Sequence, residues 1–557
     1  MILLWHRADL RVKDNPALDR ATAIAQRRGT TVQPVFVFDP QFYGKKALAC
    51  DGRIEFLHEC LASLREQYRK RGSELTLLHG DPVDRLASLP EDRELEDAYI
   101  CYTRHPTARY GAHRDEQLEA WERARDSDMI GQRESNSGLD SDIKAVPEGA
   151  IVFDAHERGI DSREGWAEQC EAYLTSEEYP APSSDTLTSR AAAIASDVTI
   201  DEIEAHYDIE SAKRSVPRGG HHAAHRRLDW FTRAKVMEQY PGGISPPAEA
   251  EQRTSRLSPY LRFGVLSPRQ VYQAGVERAG AERARDLFES RLFWNRHFRQ
   301  KLADNPRLTE EAVNPVLQEL FVSEEERDPE LITAWKEGRT GFPMVDASMR
   351  ALVETGWLNF RMRAMVASFF GYILKQWWRI GADFMYYHLI DADPAINYAQ
   401  WQMQCGLVGC HPNRIYNPRK QARENDPEGA FIREYVSKLR DLPTEFIARP
   451  EKAPIHVQRE CGVTIGDSPD ADYPYPIVDF EREATAARDQ FSRLADQARE
   501  ALDDPEVRRR ASLSRKRRQR MGEPETDGAE VDSGNETVEE KDDTATEESR
   551  QGRLVEF

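Results

Sequence analysis

The chain has 557 residues, too many for one hydrophobic core and about right for two to four domains of roughly 150 residues each. Hydrophobic residues make up 39% and charged residues 31%, with no apolar run of about 18 residues and no apolar leader in MILLWHRAD, which predicts a cytoplasmic protein without a membrane partner. Seven cysteines without a CxxC pair argue against a zinc site or a disulfide framework, and the net charge of −20 argues at first sight against nucleic acid.

Short apolar runs at Ile2–Trp5, Val35–Phe38, Leu75–Leu78 and Ala98–Tyr102 alternate with helical patterns such as Arg53–Tyr68. This βαβ rhythm predicts a parallel sheet, and residues 1–125 read as an α/β domain. Asp14-Asn15-Pro16 supplies a helix N-cap and a first-turn proline. No GxGxxG or GxxxxGK[ST] follows a strand, so a phosphate loop of those kinds is not expected. Residues 126–217 are polar, with clusters such as Pro180–Ser184, and read as a connection with little regular structure.

From residue 218 to 485 amphipathic patterns dominate, at Ala223–Gln239, Pro268–Ala279, Glu282–Leu302, Ala347–Thr355 and Arg361–Trp378, and predict an all-α domain. Residues 486–557 read as a charged, largely disordered extension. Pro505–Arg520 carries eight basic residues against Glu506, and Met521–Phe557 carries thirteen acids against Lys541, Arg550 and Arg553. Only 15 of the 77 basic residues are lysine, and this arginine bias on an acidic chain predicts a high-salt cytoplasm, where carboxylates hold water and ions.

Thr254, Ser255 and Ser258 beside Arg256, ahead of a helical pattern, have the hydroxyls, N–H groups and helix dipole to bind a pyrophosphate; an ordinary N-cap uses the same residues. His221, His222 and His225 stand at helical spacing, but no fourth ligand is evident, so no metal is expected.

Six stretches resemble the photolyase/cryptochrome family, in its order and nearly its spacing over residues 1–480. They are WHRADLRVKDNPAL (Trp5–Leu18), TSRLSPYLRFG (Thr254–Gly264), GFPMVDASMR (Gly341–Arg350), GWLNFRMR (Gly356–Arg363), DADPAINYAQW (Asp391–Trp401) and RIYNP (Arg414–Pro418). The resemblance implies a Rossmann-like antenna domain, an all-α domain that holds FAD, and electron transfer driven by blue light. It leaves room for a second antenna chromophore, a deazaflavin or a folate. By position it implies FAD contacts at Tyr240, at Thr254, Ser255, Arg256, Leu257 and Ser258, at Trp357, and at Asp391, Ala392 and Asp393.

Arg363 and Asp391 match the family's paired charges beside the isoalloxazine ring. Asn397 matches the position facing flavin N5, where an amide cannot donate a proton as an aspartic acid would, a feature more like a photolyase than a plant-type cryptochrome. Trp401 and Trp378 match the first two tryptophans of the photoreduction chain. Counting back from Trp335, the third falls on Glu325, so the relay must end elsewhere, with Trp377, Tyr386 and Tyr387 as candidates.

The lesion pocket departs from the pattern. Trp294, which in pyrimidine-dimer photolyases stacks on the flipped dimer, is kept. Arg291 replaces a glutamate, Asn295 an arginine, Phe360 an asparagine, Ala364 a methionine and Met403 a tryptophan. The (6-4) class has histidines where Phe360 and Ala364 stand. Arg291, Trp294, Asn295, Phe360, Arg361, Met403, Arg414 and Gln421 match the DNA face, with Arg296, Arg299, Lys301, Arg419 and Lys420 near it. Cys405 and Cys410 are too few for the iron–sulfur cluster of one photolyase branch. The expectation is a monomeric, light-driven DNA repair lyase that splits cyclobutane pyrimidine dimers in UV-damaged DNA. The alternative is a cryptochrome-like blue-light photoreceptor without repair activity, reaching a signalling partner through its C-terminal tail.

Overall fold

The computed structural model describes residues 1–44, 48–92, 99–129, 143–147, 163–278, 282–409 and 414–511. Five strands, β1 (Ile2–Trp5), β2 (Val32–Phe38), β3 (Thr76–His79), β4 (Tyr99–Arg104) and β5 (Ile143–Pro147), form one sheet in the order β3-β2-β1-β4-β5. Every neighbouring pair is parallel. Both β1 and β2 are buried along their whole length, which is why they read as unbroken apolar runs. The first helix, Pro16–Arg28, starts on Asn15, whose side chain accepts the Leu18 N–H, and stops at Gly29 with φ 62°.

The stretch read as an irregular connection is more ordered than expected. It contributes β5, which pairs with β4, and the helices Arg163–Thr175 and Ile200–Tyr207. The strand sequence IKAVP carries a lysine at its second position and a proline at its end, so it gives no apolar run to detect. Ile200–Tyr207 is closed by a reciprocal capping box between Thr199 and Glu202. Trp166, Cys170 and Leu174 anchor the preceding helix against Phe293.

The helical part comprises, among others, Glu282–Asp304, Pro343–Thr355, Phe360–Ser368, Trp378–His388 and Pro394–Gln404. Two patterns read as single helices are broken. Ala223–Gln239 splits into His221–Phe231 and Ala234–Met237. Arg361–Trp378 passes from an α-helix into a π-turn at Phe369–Ile373, and Lys375 at φ 52° turns the chain before Trp378 opens a new helix. Phe369, Phe370, Tyr372 and Ile373 are all buried, so burial kept the apolar pattern running where the helical phase had ended.

Two separated motifs lock the α/β and helical parts together. The Leu10 N–H donates to the Phe263 carbonyl at 3.1 Å, and buried Arg11 donates through Nη1 to the Gly264 carbonyl at 3.0 Å. Gly264 has φ 63°, and a Cβ there would lie 2.2 Å from the Ala8 carbonyl oxygen, so only glycine lets the two backbones approach.

The disordered extension was placed too early. Phe480–Glu500 is a helix that buries Phe480, Ala484, Ala487, Phe491 and Ala498, a stripe narrow enough to be hidden in a charged sequence. A further helix, Pro505–Ala511, follows, and residues 512–557 lie outside the described residues. Leu502, Val507 and Ala511 join an apolar cluster with Phe298, Leu308 and Val408, against which Trp294 and Met403 pack. No helix among the described residues is long and apolar enough to cross a membrane. A chain ended at Ala511 should therefore be more stable than one ended at Asp504 by about 1–3 kcal/mol, the worth of burying one or two small apolar side chains. Urea unfolding of the two truncations measures this, and equal midpoints would show that Val507 and Ala511 add nothing.

Candidate functional site

The stretch Asp391-Ala392-Asp393 is gripped from three helices. Arg363, on Phe360–Ser368, donates through Nη2 to both Asp391 oxygens at 3.1 and 3.0 Å, and the Ser258 hydroxyl donates to Oδ2 at 2.6 Å. Arg262 donates to the Ala392 carbonyl at 2.6 Å. Arg299, on Glu282–Asp304, donates from Nε and Nη2 to Asp393 Oδ2 at 3.0 and 2.9 Å. The other Asp393 oxygen accepts the N–H groups of Ala395 and Ile396, capping the helix Pro394–Gln404. Burial opposes ionisation of Asp393, but the charges of Arg299 and Arg262 prevail and hold its carboxyl below the usual range.

That capped helix carries Asn397 and Trp401 one turn apart on the same side. The Asn397 amide donates to the Ala382 carbonyl at 2.9 Å, which fixes its orientation. Trp401 lies against Gly381, where a Cβ would sit 2.3 Å from its ring, and its buried indole N–H meets no acceptor among the described residues. A buried donor left unanswered beside a fixed amide and a half-buried Arg363–Asp391 pair suits a group with acceptor atoms and a polarisable ring, as FAD has. FAD bound here would supply light absorption and one-electron chemistry. The protein's part would be to orient it, to hold balancing charge at Arg363 and Asp391, and to present the amide of Asn397 in place of a carboxylic acid.

In the hydroxyl-rich segment, the Thr254 hydroxyl donates to the Ala250 carbonyl at 2.6 Å and the Ser255 oxygen accepts the Leu257 N–H at 3.4 Å. Leu257 is buried, while Arg256, at φ 50°, lies between Glu251 at 2.7 Å and the face of Trp357 at 4.3 Å. Sequence reading missed Arg227, which donates to the Ser255 and Thr254 carbonyls at 2.7 and 2.8 Å and so shapes the loop. Burial, then the nearby Arg256 charge, lower Arg227 to about 10. Its only sequence signal was a basic residue in the helix beginning at His221. Tyr240 is buried between Phe231 at 5.4 Å and Phe288 at 6.0 Å; burial raises its phenol above the usual range, and the charge of Arg291 opposes that shift.

Among the aromatic rings, Trp401 contacts Trp335 and Phe370, each at 5.9 Å. Buried Trp378 meets Tyr398 edge-on at 6.2 Å, and Tyr398 stacks on Tyr386 at 5.8 Å. Glu325 is exposed in a short turn; Trp377 lies under Arg327, and Tyr387 is exposed.

The expected DNA face is only partly a surface. Phe360 is 47% exposed, Arg361 beside it lies over Tyr416 at 5.9 Å, and Arg414 is exposed. Trp294 is half-buried and stacks on Phe298 at 5.0 Å; Asn295 and Met403 are half-buried as well. Gln421, read as a DNA contact, is instead buried and accepts a hydrogen bond from Asn425. Arg296, Arg299 and Lys301 are buried too, because the helix Glu282–Asp304 turns that face inward, where Arg299 serves Asp393. The rings of His221 and His225 lie 4.2 Å apart; burial and then the neighbouring rings push His221 down to about 4, so the close pair is neutral near pH 7. No group of three metal-ligating side chains occurs among the described residues. Cys405 is buried, and Cys410 lies outside the described residues.

Residues 2–136 match the family model for DNA photolyase and residues 288–493 the model for the FAD binding domain of DNA photolyase. The chain is 30% identical over 501 residues to a cryptochrome DASH of Natronomonas pharaonis, covering 86% of this chain and 98% of that one. It is 29% identical to a deoxyribodipyrimidine photo-lyase of Halobacterium salinarum, covering 88% and 99%. The crystal structure of a Synechocystis cryptochrome superposes with a TM-score of 0.73 at 25% identity, covering 88% and 98%.

Two variants test the site. Asp391→Ala leaves Arg363 unpaired and should cost on the order of 3 kcal/mol at the cofactor position, so purified protein should lose most of its FAD absorbance; full retention would sink the placement. For Asp393, whose folded pKa is depressed, the stabilisation is complete above about pH 4 and is lost as pH falls through the lower native value. Asp393→Asn should therefore flatten the acid limb of the stability curve below about pH 4 while lowering stability at pH 7, as read by thermal melts across pH.

Proposed function

The chain belongs to the photolyase/cryptochrome family, and we propose that within it this protein is a light-driven, FAD-dependent DNA repair lyase acting on cyclobutane pyrimidine dimers. The observation that carries the repair reading is the surface next to the Arg363–Asp391 pair. The helix Phe360–Ser368 begins with an exposed aromatic ring and a basic side chain, Phe360 and Arg361, while its next turn brings Arg363 to Asp391. An exposed aromatic beside arginine is what stacking on an extruded base and pairing with its phosphate require. Trp294 and Met403 supply half-buried apolar surface for a splayed base. Asn397, held by Ala382, puts an amide rather than an acid at the position matched to flavin N5, which suits a reduced, anionic flavin held ready to give an electron.

No general base or nucleophile is needed for such a reaction. The residues position a lesion, exclude water and hold charge, and the carboxylate of Asp391 stays matched to Arg363 throughout. The acidic, arginine-rich composition fits work at high salt, where phosphate pairing is screened and stacking gains relative weight. The photoreceptor reading is favoured by the substituted pocket, with Arg291, Asn295, Phe360, Ala364 and Met403 all departing from the repair pattern.

A light-dependent repair assay on oligonucleotides with one cyclobutane dimer or one (6-4) product, at high salt, separates these readings. Repair of the dimer alone is expected; binding without repair of either lesion would favour the photoreceptor. Phe360→Ala should weaken binding of dimer-containing DNA by about 1–3 kcal/mol with FAD content unchanged. Trp401→Phe should suppress photoreduction of oxidised protein while leaving repair by chemically reduced protein intact.

A further inference from the structure

We propose that Tyr398 is the residue at which the electron hole leaves the Trp401–Trp378 pair, with Asp383 as the acceptor of its proton. The inference rests on the photoreduction reading above and supplies the terminus that Glu325 cannot.

Three observations converge on Tyr398. Its ring meets Trp378 edge-on at 6.2 Å, so one short hop connects them. Its hydroxyl donates to Asp383 Oδ1 at 2.6 Å, and the Asp383 side chain is 50% exposed, giving the proton a route to water. Its ring is 6% exposed and stacks on Tyr386 at 5.8 Å and 27°, so the site is shielded from direct quenching. Burial, then the Asp383 charge, push the Tyr398 phenol above its usual range, so it is a phenol and not a phenolate at neutral pH.

The alternatives are worse placed. Trp335 touches Trp401 at 5.9 Å but is fully buried among Phe370 and Phe384, with its indole N–H on the Val366 carbonyl, and so has no outlet. Tyr386 carries the Arg53 guanidinium over its ring at 4.8 Å, which penalises a second positive charge there. Arg379 does the same over Tyr398 at 4.9 Å, but Asp383, which also pairs with Arg379 at 2.7 Å, removes the charge by taking the proton.

With FAD bound and photoexcited, Trp401 would supply it with one electron, Trp378 would refill Trp401, and Tyr398 would refill Trp378. As Tyr398 loses its electron its O–H bond breaks and the proton passes to the Asp383 carboxylate, leaving a neutral phenoxyl radical and a neutral carboxylic acid. A thiol reductant from solution restores Tyr398 by supplying one electron and one proton, and Asp383 returns its proton to water.

The test is electron paramagnetic resonance of the illuminated, FAD-containing full-length protein, with and without ring-deuterated tyrosine, alongside FAD absorbance. The native protein should show a tyrosyl spectrum that narrows on deuteration. Tyr398→Phe should lose that signal with FAD content retained and a tryptophanyl signal left in its place. Asp383→Asn, which keeps the ring and removes the acceptor, should lose it too. A tyrosyl signal that survives Tyr398→Phe, or a native spectrum with a tryptophanyl but no tyrosyl signal, overturns the proposal and leaves photoreduction standing. Illumination that generates no amino-acid radical in FAD-loaded protein overturns both.

Discussion

Three helices of the helical part converge on one short acidic stretch. Asp391, Ala392 and Asp393 accept hydrogen bonds from Arg363, Ser258, Arg262 and Arg299, which come from helices far apart in the chain. Two carboxylates so close would repel and could not be buried alone; with arginines on each, burial strengthens the attraction and the backbone between them is immobilised. Asp393 also opens the helix that carries Asn397, Tyr398 and Trp401. One interaction set therefore fixes the charge at the cofactor position, the amide beside it and the aromatic path leading away.

The same economy explains where the arginines go. Arg296 and Arg299 were expected near a DNA face, but both are buried, as is Arg11. Arg11 ties the α/β domain to the segment after Thr254, and Arg227 ties that segment to the helix before it. Arginine suits this work because its planar fork meets several carbonyl or carboxylate oxygens at once and stays charged when buried, whereas a buried lysine tends to neutralise. Of the side chains expected on or near a DNA face, Arg414 and Lys420 are exposed; high salt would screen their phosphate contacts, which shifts the weight of any DNA contact toward aromatic stacking at Phe360 and Trp294.

The sheet and the first helix were legible because parallel strands buried on both faces write continuous apolar runs, and Asn15-Pro16 writes a helix start. The Arg363–Asp391 pair was legible only through a motif match, since nothing in local periodicity brings residues 28 apart together. Strand β5 was hidden by Lys144, and the ordered part of the C-terminal extension by a narrow stripe of alanines and phenylalanines that the surrounding charged residues dilute. The motif Gly341–Arg350 had a different lesson. Its Asp346 is buried and accepts hydrogen bonds from Thr340, Gly341 and Tyr473, so this family motif supports the core rather than the site. Tyr398, between two motif residues with assigned roles, had no signal of its own until its ring and hydroxyl were seen in place.

The C-terminal helices bear on the packing of Trp294 and Met403 as well as on stability. Val507 and Ala511 share one apolar cluster with Phe298 and Ala399, and Trp294 and Met403 pack against that cluster. Met403 stands where the resembled family pattern has a tryptophan. A smaller, flexible thioether fills irregular space without a fixed face. The cluster beneath it is thus supported by a segment that lies after the matched FAD-binding region, which ends at residue 493. Docking of Pro505–Ala511 on that cluster therefore backs Trp294 and Met403 from beneath, so the segment bears on how firmly those two side chains are held as well as on stability.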